Sequence, residues 1–360
     1  MRVIKIAFNL VAVSSITLLL ASCGSTPPEP PQTNLPEVTQ KIRERADKFQ
    51  KMLAPNYANS MIIDSSTIDS YRKIPYTLAQ RLVLLGIKYV HIRFDLDIVD
   101  SKQKTKELKT LLAAMKNNGI TPNILVSDKR FYTYKSKDWD KTPKYWLYDN
   151  RHPMKKLLDA IGKFNTDNFD PSTKIDGITV IFSPDYVNKR QTSYPTGALY
   201  EWTDQGYGKG NDNDKLVQTG ILNLWELKKR LHNMRMVVVV PDFLERKVKA
   251  GQLSFGKTSD FLQFCDDVII EIFVGSSLSK TRSYAAASLK PVKTAGRVSI
   301  ALRTVFIPYQ SPLTLKSFVD SDWTTLLRKT GSLQKSFKQY KAFMGFTFDN
   351  YYGIERLLEK

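Results

Sequence analysis

Residues 175–185 read IDGITVIFSPD, and this stretch decides the predicted fold. Its middle part is apolar at consecutive positions, so both faces of the segment are expected to be buried. A strand that is buried on both faces is typical of parallel sheets, whose two sides are covered by helices. The segment ends in two polar residues, Ser183 and Asp185, and therefore predicts a buried strand with a polar tip.

Seven more segments of this kind occur along the chain, and each is followed by a stretch with helical spacing. The eight predicted strands cover residues 60–64, 89–96, 122–127, 175–183, 236–240, 268–273, 298–304 and 343–348. Eight strand–helix units in about 300 residues predict an α/β fold, a single (β/α)₈ barrel over residues 60–360. An open doubly wound sheet is the alternative. Such a sheet usually has a glycine-rich phosphate-binding turn after its first strand, and the segment DSSTIDSYRK has no glycine there.

The amino-terminal residues predict export and a lipid anchor. A short basic start precedes a mostly apolar run, residues 6–20, which is shorter than the ~20 residues of a membrane-spanning helix. The run closes with Leu-Ala-Ser-Cys-Gly at residues 20–24, which resembles a bacterial lipobox. The resemblance implies a signal peptide over residues 1–22, acylation of Cys23 by fatty acids such as palmitate, and a membrane-anchored lipoprotein that is periplasmic or at the cell surface.

Two short segments connect the predicted anchor to the barrel. Residues 23–36 contain STPPEPPQTNLP, whose five prolines favour an extended linker rather than a packed element. Residues 37–59 are charged and are predicted to form a helical lead-in to the first strand.

The net charge of +19 restricts the partners that the chain is expected to bind. The lysines are scattered, and an exported protein rarely meets nucleic acid, so no nucleic-acid partner is expected. Anionic lipid headgroups and acidic glycans are compatible with the charge, as is an ordinary solvated lysine-rich surface. The two cysteines and three histidines show no metal-site spacing, so no metal or other cofactor is expected. Cys265, in the apolar run FLQFC, is expected to be a buried hydrophobic residue.

Polar residues stand at the carboxyl ends of most predicted strands, where a (β/α)₈ barrel has its active site. These residues are His91, Arg93, Asp95, Ser183, Asp185, Asp242, Glu271, Arg303 and Asp349. Alternation within YVHIRFDL and VSIALRT turns the polar residues of both strands into the barrel. Glu271 has apolar neighbours on both sides and would need a cation, from Arg93 or Arg303, or a proton. It is either a tuned acid or substrate clamp, or part of a structural ion pair. A structural role is equally open for His91 and Arg93.

Two long loops on the same side of the predicted barrel are rich in aromatic residues. The loop over residues 129–152 includes Trp146, and the loop over residues 186–214 includes Trp202. Aromatic rings beside hydroxyl and amide groups suit the apolar faces of sugars, and long loops in compact domains are often functional. The alternative is that these rings pack on one another as a lid.

The opening stretch resembles the fourth strand of family-18 glycoside hydrolases, the chitinase group, whose pattern is D-G-x-D-x-D-x-E. Asp176 and Gly177 match this pattern, whereas the two inner acids are replaced by Thr179 and Ile181. Ser183 occupies the position of the glutamate that acts as the general acid. The resemblance implies a (β/α)₈ barrel and a site for N-acetylated glycans. The closing strand of that family often ends in a tryptophan beneath the sugar, a role that falls on Phe348 here.

Because serine cannot protonate a glycosidic oxygen as a carboxylic acid does, the chemistry of that family is not expected. The first hypothesis is a membrane-anchored glycoside hydrolase-like protein that acts on or binds polysaccharide at the cell envelope. Its acid pair would be Asp185 and Glu271, with Asp242 and Asp349 next. The second hypothesis is a non-catalytic envelope lipoprotein that binds a glycan or a protein partner. The glycan, its linkage, the membrane leaflet and the oligomeric state stay open.

Overall fold

The computed structural model describes the barrel and one preceding helix. The described residues are 39–53, 56–127, 153–166, 169–187, 200–272, 277–304 and 322–359. They belong to one compact unit that spans residues 38–360. The predicted signal peptide, Cys23, the proline-rich linker and Trp146 lie outside the described residues, so those assignments stay predictions.

Eight parallel strands form a closed barrel in the order of the sequence. The strands are β1 (Ser60–Ile63), β2 (Tyr89–Arg93), β3 (Thr121–Val126), β4 (Gly177–Ile181), β5 (Arg235–Pro241), β6 (Asp267–Glu271), β7 (Val298–Leu302) and β8 (Phe343–Phe348). The ring closes because β1 pairs with β8, with Ser60 opposite Thr347 and Met61 opposite Phe348. The predicted (β/α)₈ barrel is therefore confirmed, and the open sheet is excluded.

Helices cover the outside of the barrel. The α-helices of the described residues are α1 (Gln40–Leu53), α2 (Ser65–Tyr71), α3 (Pro75–Leu84), α4 (Lys102–Asn117), α5 (Pro153–Thr166), α6 (Asp212–Arg230), α7 (Phe243–Lys249), α8 (Thr258–Leu262), α9 (Leu278–Leu289), α10 (Trp323–Phe337) and α11 (Tyr351–Glu359). Among them, none combines the length and the apolar character that crossing a membrane requires.

The main hydrophobic core lies between the strands and the helices. Successive residues of a strand point to opposite sides, so one set of each strand packs on the helices. In β4 this set is Ile178 and Val180, continued by Phe182, all with no exposed surface. Phe182 packs edge-on against Phe261 of α8, and Cys265 is buried nearby in the same core as a free thiol. The expectation of a buried Cys265 is thus confirmed.

Helix α1 is an integral part of this core at the seam between β8 and β1. The ring of Phe49 lies 5.3 Å from that of Trp323 in α10 and 5.2 Å from that of Phe348 in β8. Arg45 donates hydrogen bonds of 2.8 and 3.0 Å to the carbonyls of residues 357–358, near the end of α11. Those carbonyls have no partner within their own helix, so α1 supplies one.

The lumen of the barrel is filled mainly by neutral side chains. His91 of β2 reaches across to Thr179 of β4, with 2.7 Å between Nδ1 and Oγ1, and Asn123 of β3 donates to the same hydroxyl at 3.3 Å. On the other side, the hydroxyls of Ser60 and Ser299 each lie 2.7 Å from that of Thr347. A second, apolar cluster fills the remaining space and consists of Val237, Val239, Ile269, Ala301 and Ile181.

A charged pair closes the lumen at the amino ends of the strands. Arg235 donates from Nε to Asp267 at 3.0 Å, and its guanidinium lies 3.9 Å from the centre of the Tyr89 ring. The neutral filling therefore separates this pair from the charged groups at the carboxyl ends.

We expect Gly177→Ala to destabilise the barrel, because a Cβ there would overlap Oδ1 of Asn123 and lie 2.9 Å from its Cγ. Asn123 has no exposed surface and is tied to Thr179, so it has little room to move. Overpacking of this kind costs about 1–3 kcal/mol, measurable as a lower midpoint in urea unfolding. Gly162→Ala in α5 is the matched control, since its Cβ would meet nothing within 4 Å. An unchanged midpoint for Gly177→Ala would contradict the packing described here.

Candidate functional site

A cluster of charged residues lies at the carboxyl ends of β4 to β8. It contains the four acids that the sequence nominated, one arginine and one tyrosine. The members are Asp185, Tyr186, Asp242, Glu271, Arg303 and Asp349. Five successive strands thus deliver their polar tips to one region of the barrel rim, as parallel strands of a barrel must.

Glu271 is the central residue of this cluster. Burial raises its pKa to about 8, and the negative charges of Asp349, Asp185 and Asp242 act in the same direction against the opposing charge of Arg303. No side-chain hydrogen bond or ion pair to Glu271 comes from any of the described residues. At neutral pH the carboxyl group is therefore mostly protonated and free to donate to a ligand.

Asp349, at the end of β8, forms an ion pair with Arg303, at the end of β7. Nε of Arg303 lies 3.3 Å from Oδ2 of Asp349, and both side chains are about one-fifth exposed. Oδ1 of Asp349 accepts hydrogen bonds from the backbone and the hydroxyl of Thr304, at 2.6 and 3.1 Å. Burial raises the pKa of Asp349, although these hydrogen bonds and Arg303 oppose the rise. Asp349 is fixed in position by these contacts.

Asp242 follows β5 and is tied to α7. Its Oδ2 accepts from Nε and Nη2 of Arg246, at 3.2 and 2.9 Å, and the guanidinium stacks 4.0 Å from the ring centre of Tyr284. Burial raises the pKa of Asp242 in spite of Arg246. The backbone N–H of Asp242 donates to the carbonyl of Glu271 at 3.1 Å, which keeps the two strand ends together.

The end of β4 contributes Asp185 and Tyr186 through a short 3₁₀ turn, Pro184–Tyr186. Ser183, which precedes the turn, is only 8% exposed, so its hydroxyl is a minor part of the surface. Burial raises the pKa of Tyr186, and the charges of Asp185 and Glu271 raise it further. Tyr186 belongs to the aromatic-rich loop after β4 and was not predicted as a site residue. Its place next to Asp185 in the sequence could have indicated that it lies at the site.

His91 is in the lumen as predicted, where it packs among neutral side chains, and its role in substrate binding stays a prediction. The residue is only 2% exposed, and its Nδ1 is engaged by Thr179. Burial and the positive charge of Arg235 lower the pKa of His91 to about 3, so the ring is neutral. His91 is a packing residue in the middle of the barrel.

Phe348, to which the resemblance assigns a sugar-stacking role, lies on the helix side of the barrel, and that role stays a prediction. Its ring has no exposed surface and packs against Phe49 of α1 on the helix side of the barrel. The alternation of β8 turns Thr347 and the following Asp349 inward, and it turns Phe346 and Phe348 outward.

Arg93 and Asp95 do not join the acidic cluster. Their side chains form an ion pair of their own at 3.5 Å and are 50% and 58% exposed. Both line a cleft of about 270 Å³ with Ser65 and Ile68 of α2 and several residues of α4. Strand β2 ends at Arg93, and beyond the end of a strand the inward–outward alternation no longer applies.

Trp202 lies close to the rim, but it is half-buried among other aromatic rings. Its ring centre is 5.6 Å from that of Tyr207 and 5.6 Å from that of Phe243, the residue after Asp242. This part of the loop therefore packs as a lid, which is the alternative that the sequence left open. Trp146 lies outside the described residues, and its proposed stacking role stays a prediction.

The arrangement brings together groups that can donate or accept a proton. In the described part of the chain, no three His, Cys, Asp or Glu residues are grouped so that they could hold a metal ion. What the cluster offers is a protonated carboxyl group, two neighbouring carboxylates with hydrogen-bond or ion-pair partners, and a phenol.

Comparison of the sequence with protein-family models and with curated proteins found no match. Solved structures with a similar fold include a family-18 chitinase from Pseudoalteromonas aurantia, with a TM-score of 0.46, 11% identity, and coverage of 82% of this chain and 94% of that one. The spore cortex-lytic enzyme SleL from Bacillus megaterium has a TM-score of 0.48 at 11% identity and covers 85% and 75% of the two chains. A fungal β-1,4-galactanase has a TM-score of 0.45 at 13% identity and covers 81% and 88%. At this identity the likeness concerns the fold alone.

We expect Glu271 to give the free energy of unfolding a downward slope as pH rises from 4.5 to about 8, against the upward slope that the neutral His91 gives below pH 6.5. The unfolded carboxyl group ionises at its ordinary value while the folded one keeps its proton, so the folded state binds the extra proton across this window. Glu271→Gln should reduce that slope in denaturant titrations at several pH values.

Asp97→Asn serves as the control for this slope. The hydrogen bond from Lys104 lowers the pKa of Asp97. Asp97 therefore changes the free energy of unfolding only below its ordinary pKa of 3.8. A Glu271→Gln protein with the full slope of the wild type would show that Glu271 ionises normally.

Proposed function

We propose that the protein is a glycoside hydrolase-like barrel that binds a polysaccharide at the mouth of the barrel and hydrolyses a glycosidic bond there. The observation that carries the proposal is Glu271, a carboxyl group with a pKa of about 8 that is surrounded by other carboxylates. Glycosidases need one carboxyl group that is protonated at working pH and a second that is ionised.

In this proposal Glu271 donates its proton to the glycosidic oxygen of the leaving sugar. Asp185 is the carboxylate partner, either as a nucleophile or as a base that activates water, because it stands at the end of β4 next to Tyr186. Arg303 and Asp349 form an ion pair near Glu271, and this pair keeps both of its charges in fixed positions beside the proposed acid. The retained or inverted configuration of the product follows from which role Asp185 takes.

The substrate-assisted route of family-18 enzymes does not fit this lumen. Thr179, at the position of one inner acid, is fully buried and bonded to His91, and Ile181, at the other, belongs to the apolar cluster. Neither position offers a carboxylate for an N-acetyl group. Proton transfer from the β6 side of the rim is the route that the remaining acids support.

We propose further that the barrel is held at the cell envelope by acyl chains on Cys23. The support is the run of sequence features at residues 1–24, in which a basic start, an apolar stretch and small residues lead to the cysteine. Two or more acyl chains on one residue anchor a protein stably, since each buried CH₂ contributes ~0.8 kcal/mol.

We expect mass spectrometry of the protein from a bacterial membrane fraction to show an amino-terminal peptide that begins at an acylated Cys23. Cys23→Ser should abolish both the lipid mass and the cleavage at that residue. Recovery of an unmodified peptide that begins elsewhere would remove the anchor from the proposal.

The activity is tested with the purified protein and a panel of glycans that includes chitin oligomers and peptidoglycan. Loss of the general acid in Glu271→Gln should reduce product release by at least about a hundredfold. The rate of the wild type should fall as pH rises through about 8, because the protonated form of Glu271 is the active one. Asp185→Asn should have a comparable effect.

Asp95→Asn is the matched control, because Asp95 is a carboxylate of the same rim segment that pairs with Arg93 outside the cluster. It should keep the activity of the wild type. Retention of the protein on a glycan without turnover would identify a binding protein instead of an enzyme, and no response to any glycan would favour a protein partner.

A further inference from the structure

A patch of lysines lies at the amino-terminal face of the barrel, opposite the candidate site. It is formed by Lys290 and Lys293, between α9 and β7, and by Lys335, Lys338 and Lys341, at the end of α10 and before β8. All five side chains are exposed, and none is in an ion pair with a described residue. The described stretches 277–304 and 322–359 contain twelve lysines and arginines, six in each, and four acids, all in the second stretch: Asp322, Asp349, Glu355 and Glu359.

The two halves of the patch are neighbours in space. The backbone N–H of Gly296 donates to the carbonyl of Lys341 at 2.8 Å, and that of Arg297 donates to the carbonyl of Ala342 at 3.0 Å. The loop before β7 and the loop before β8 therefore run side by side. The lysines therefore lie on neighbouring loops, and Asp266, on the next loop of the same face, is paired with Lys228 at 2.7 Å.

A groove of about 760 Å³ between α1 and α10 opens beside this patch. Its lining mixes apolar and basic side chains, and Lys335 and Lys338 also belong to the lysine patch. The lining residues are Met52, Tyr57, Leu327, Arg328, Gly331, Ser332, Gln334, Lys335 and Lys338. Such a combination matches a molecule with an anionic head and an apolar tail.

An exposed aromatic residue stands on the same face, on the far side of the barrel. Phe169 precedes β4 and is 96% exposed, more than any other large hydrophobic residue of the described chain. Full exposure of a phenylalanine is unfavourable in water, and aromatic and aliphatic side chains of peripheral proteins insert at the boundary between headgroups and acyl chains. A flat surface that touches both Phe169 and the lysine patch has to be as wide as the barrel.

We propose that the amino-terminal face of the barrel docks on the anionic surface of a phospholipid membrane, with the lysine patch on the headgroups and Phe169 at the acyl boundary. Each lysine near such a surface is attracted by the negative potential of the lipids. The acidic cluster at the carboxyl ends of the strands is repelled by the same potential. Docking therefore leaves the candidate site facing away from the membrane.

The predicted tether does not fix this orientation by itself. Fifteen residues, 24–38, separate Cys23 from Thr39, the first described residue, and this length of chain extends to at most about 55 Å. Such a tether holds the barrel near the membrane in any orientation. The charge pattern of the two faces is what selects one.

Docking is tested on the full chain with single reporter labels and vesicles of phosphatidylcholine, with or without about 30% phosphatidylglycerol. Gln339→Cys places a fluorophore in the lysine patch, and Tyr352→Cys places one on an exposed residue at the start of α11. The native Cys265 is buried and stays unlabelled, and Cys23 is replaced by serine in every labelled chain so that each carries one label. A lipid-attached quencher should quench the label at 339 several-fold more than the label at 352, and only in the anionic vesicles.

The charge contribution is tested by Lys335→Gln, Lys338→Gln and Lys341→Gln in one chain. This triple change should reduce quenching at 339 to the level at 352, as should about 1 M salt, where the Debye length is ~3 Å. The control replaces three exposed lysines elsewhere, Lys73, Lys102 and Lys106, by glutamine and should leave the quenching intact.

Three results would overturn the proposal. The first is equal quenching at both positions, or none at either, in anionic vesicles. The second is an equal loss of quenching at position 339 in the two triple variants, which would show that only the net charge of the protein matters. The third is protection of the label at 339 that rises with protein concentration in the absence of vesicles, which would assign the patch to a second copy of the chain.

Discussion

The neutral filling of the barrel lumen is the constraint on which the rest of the molecule depends. Hydroxyl, amide and imidazole groups and a small aliphatic cluster occupy the interior, and His91 is kept uncharged there. Charged side chains are therefore confined to the two ends of the barrel. At one end Arg235 and Asp267 neutralise each other, whereas at the other end Glu271 stands on an apolar floor without a bonded counter-charge among the described residues.

In the proposed mechanism, this floor explains why the general acid lies elsewhere than in the family that the fourth strand resembles. Thr179 and Ile181 make β4 part of the packed interior, and the polar groups of β6, β7 and β8 form the charged side of the rim. The proposed acid is therefore the carboxyl group of Glu271 on β6, whose pKa is raised by burial. The barrel fold fixes the position of the rim, and the side chains at the individual strand ends determine the chemistry that the rim can perform.

The eight strands could be predicted from the sequence because each is a short, continuously apolar run between helical segments. Alternation also predicted the inward position of His91, and the apolar neighbours of Glu271 predicted that its carboxyl group would need a cation or a proton. Prediction failed where side-chain direction depends on contacts distant in sequence. Phe348 is turned toward α1 by Phe49, about 300 residues earlier, and Arg93 pairs with Asp95 just beyond the last ladder residue of β2. The extent to which Trp202 packs on Phe243 is likewise decided by tertiary structure alone.

Helix α1 links the first and last parts of the chain, because Arg45 holds the end of α11 and Phe49 covers β8. The hydroxyls of Ser60 and Thr347, which are 287 residues apart, meet only when the ring is complete. During synthesis the barrel therefore stays open until β8 has left the ribosome, and the unpaired edge of β1 needs protection until then. A barrel with this topology forms its closing contacts only when β8 and α11 reach β1 and α1.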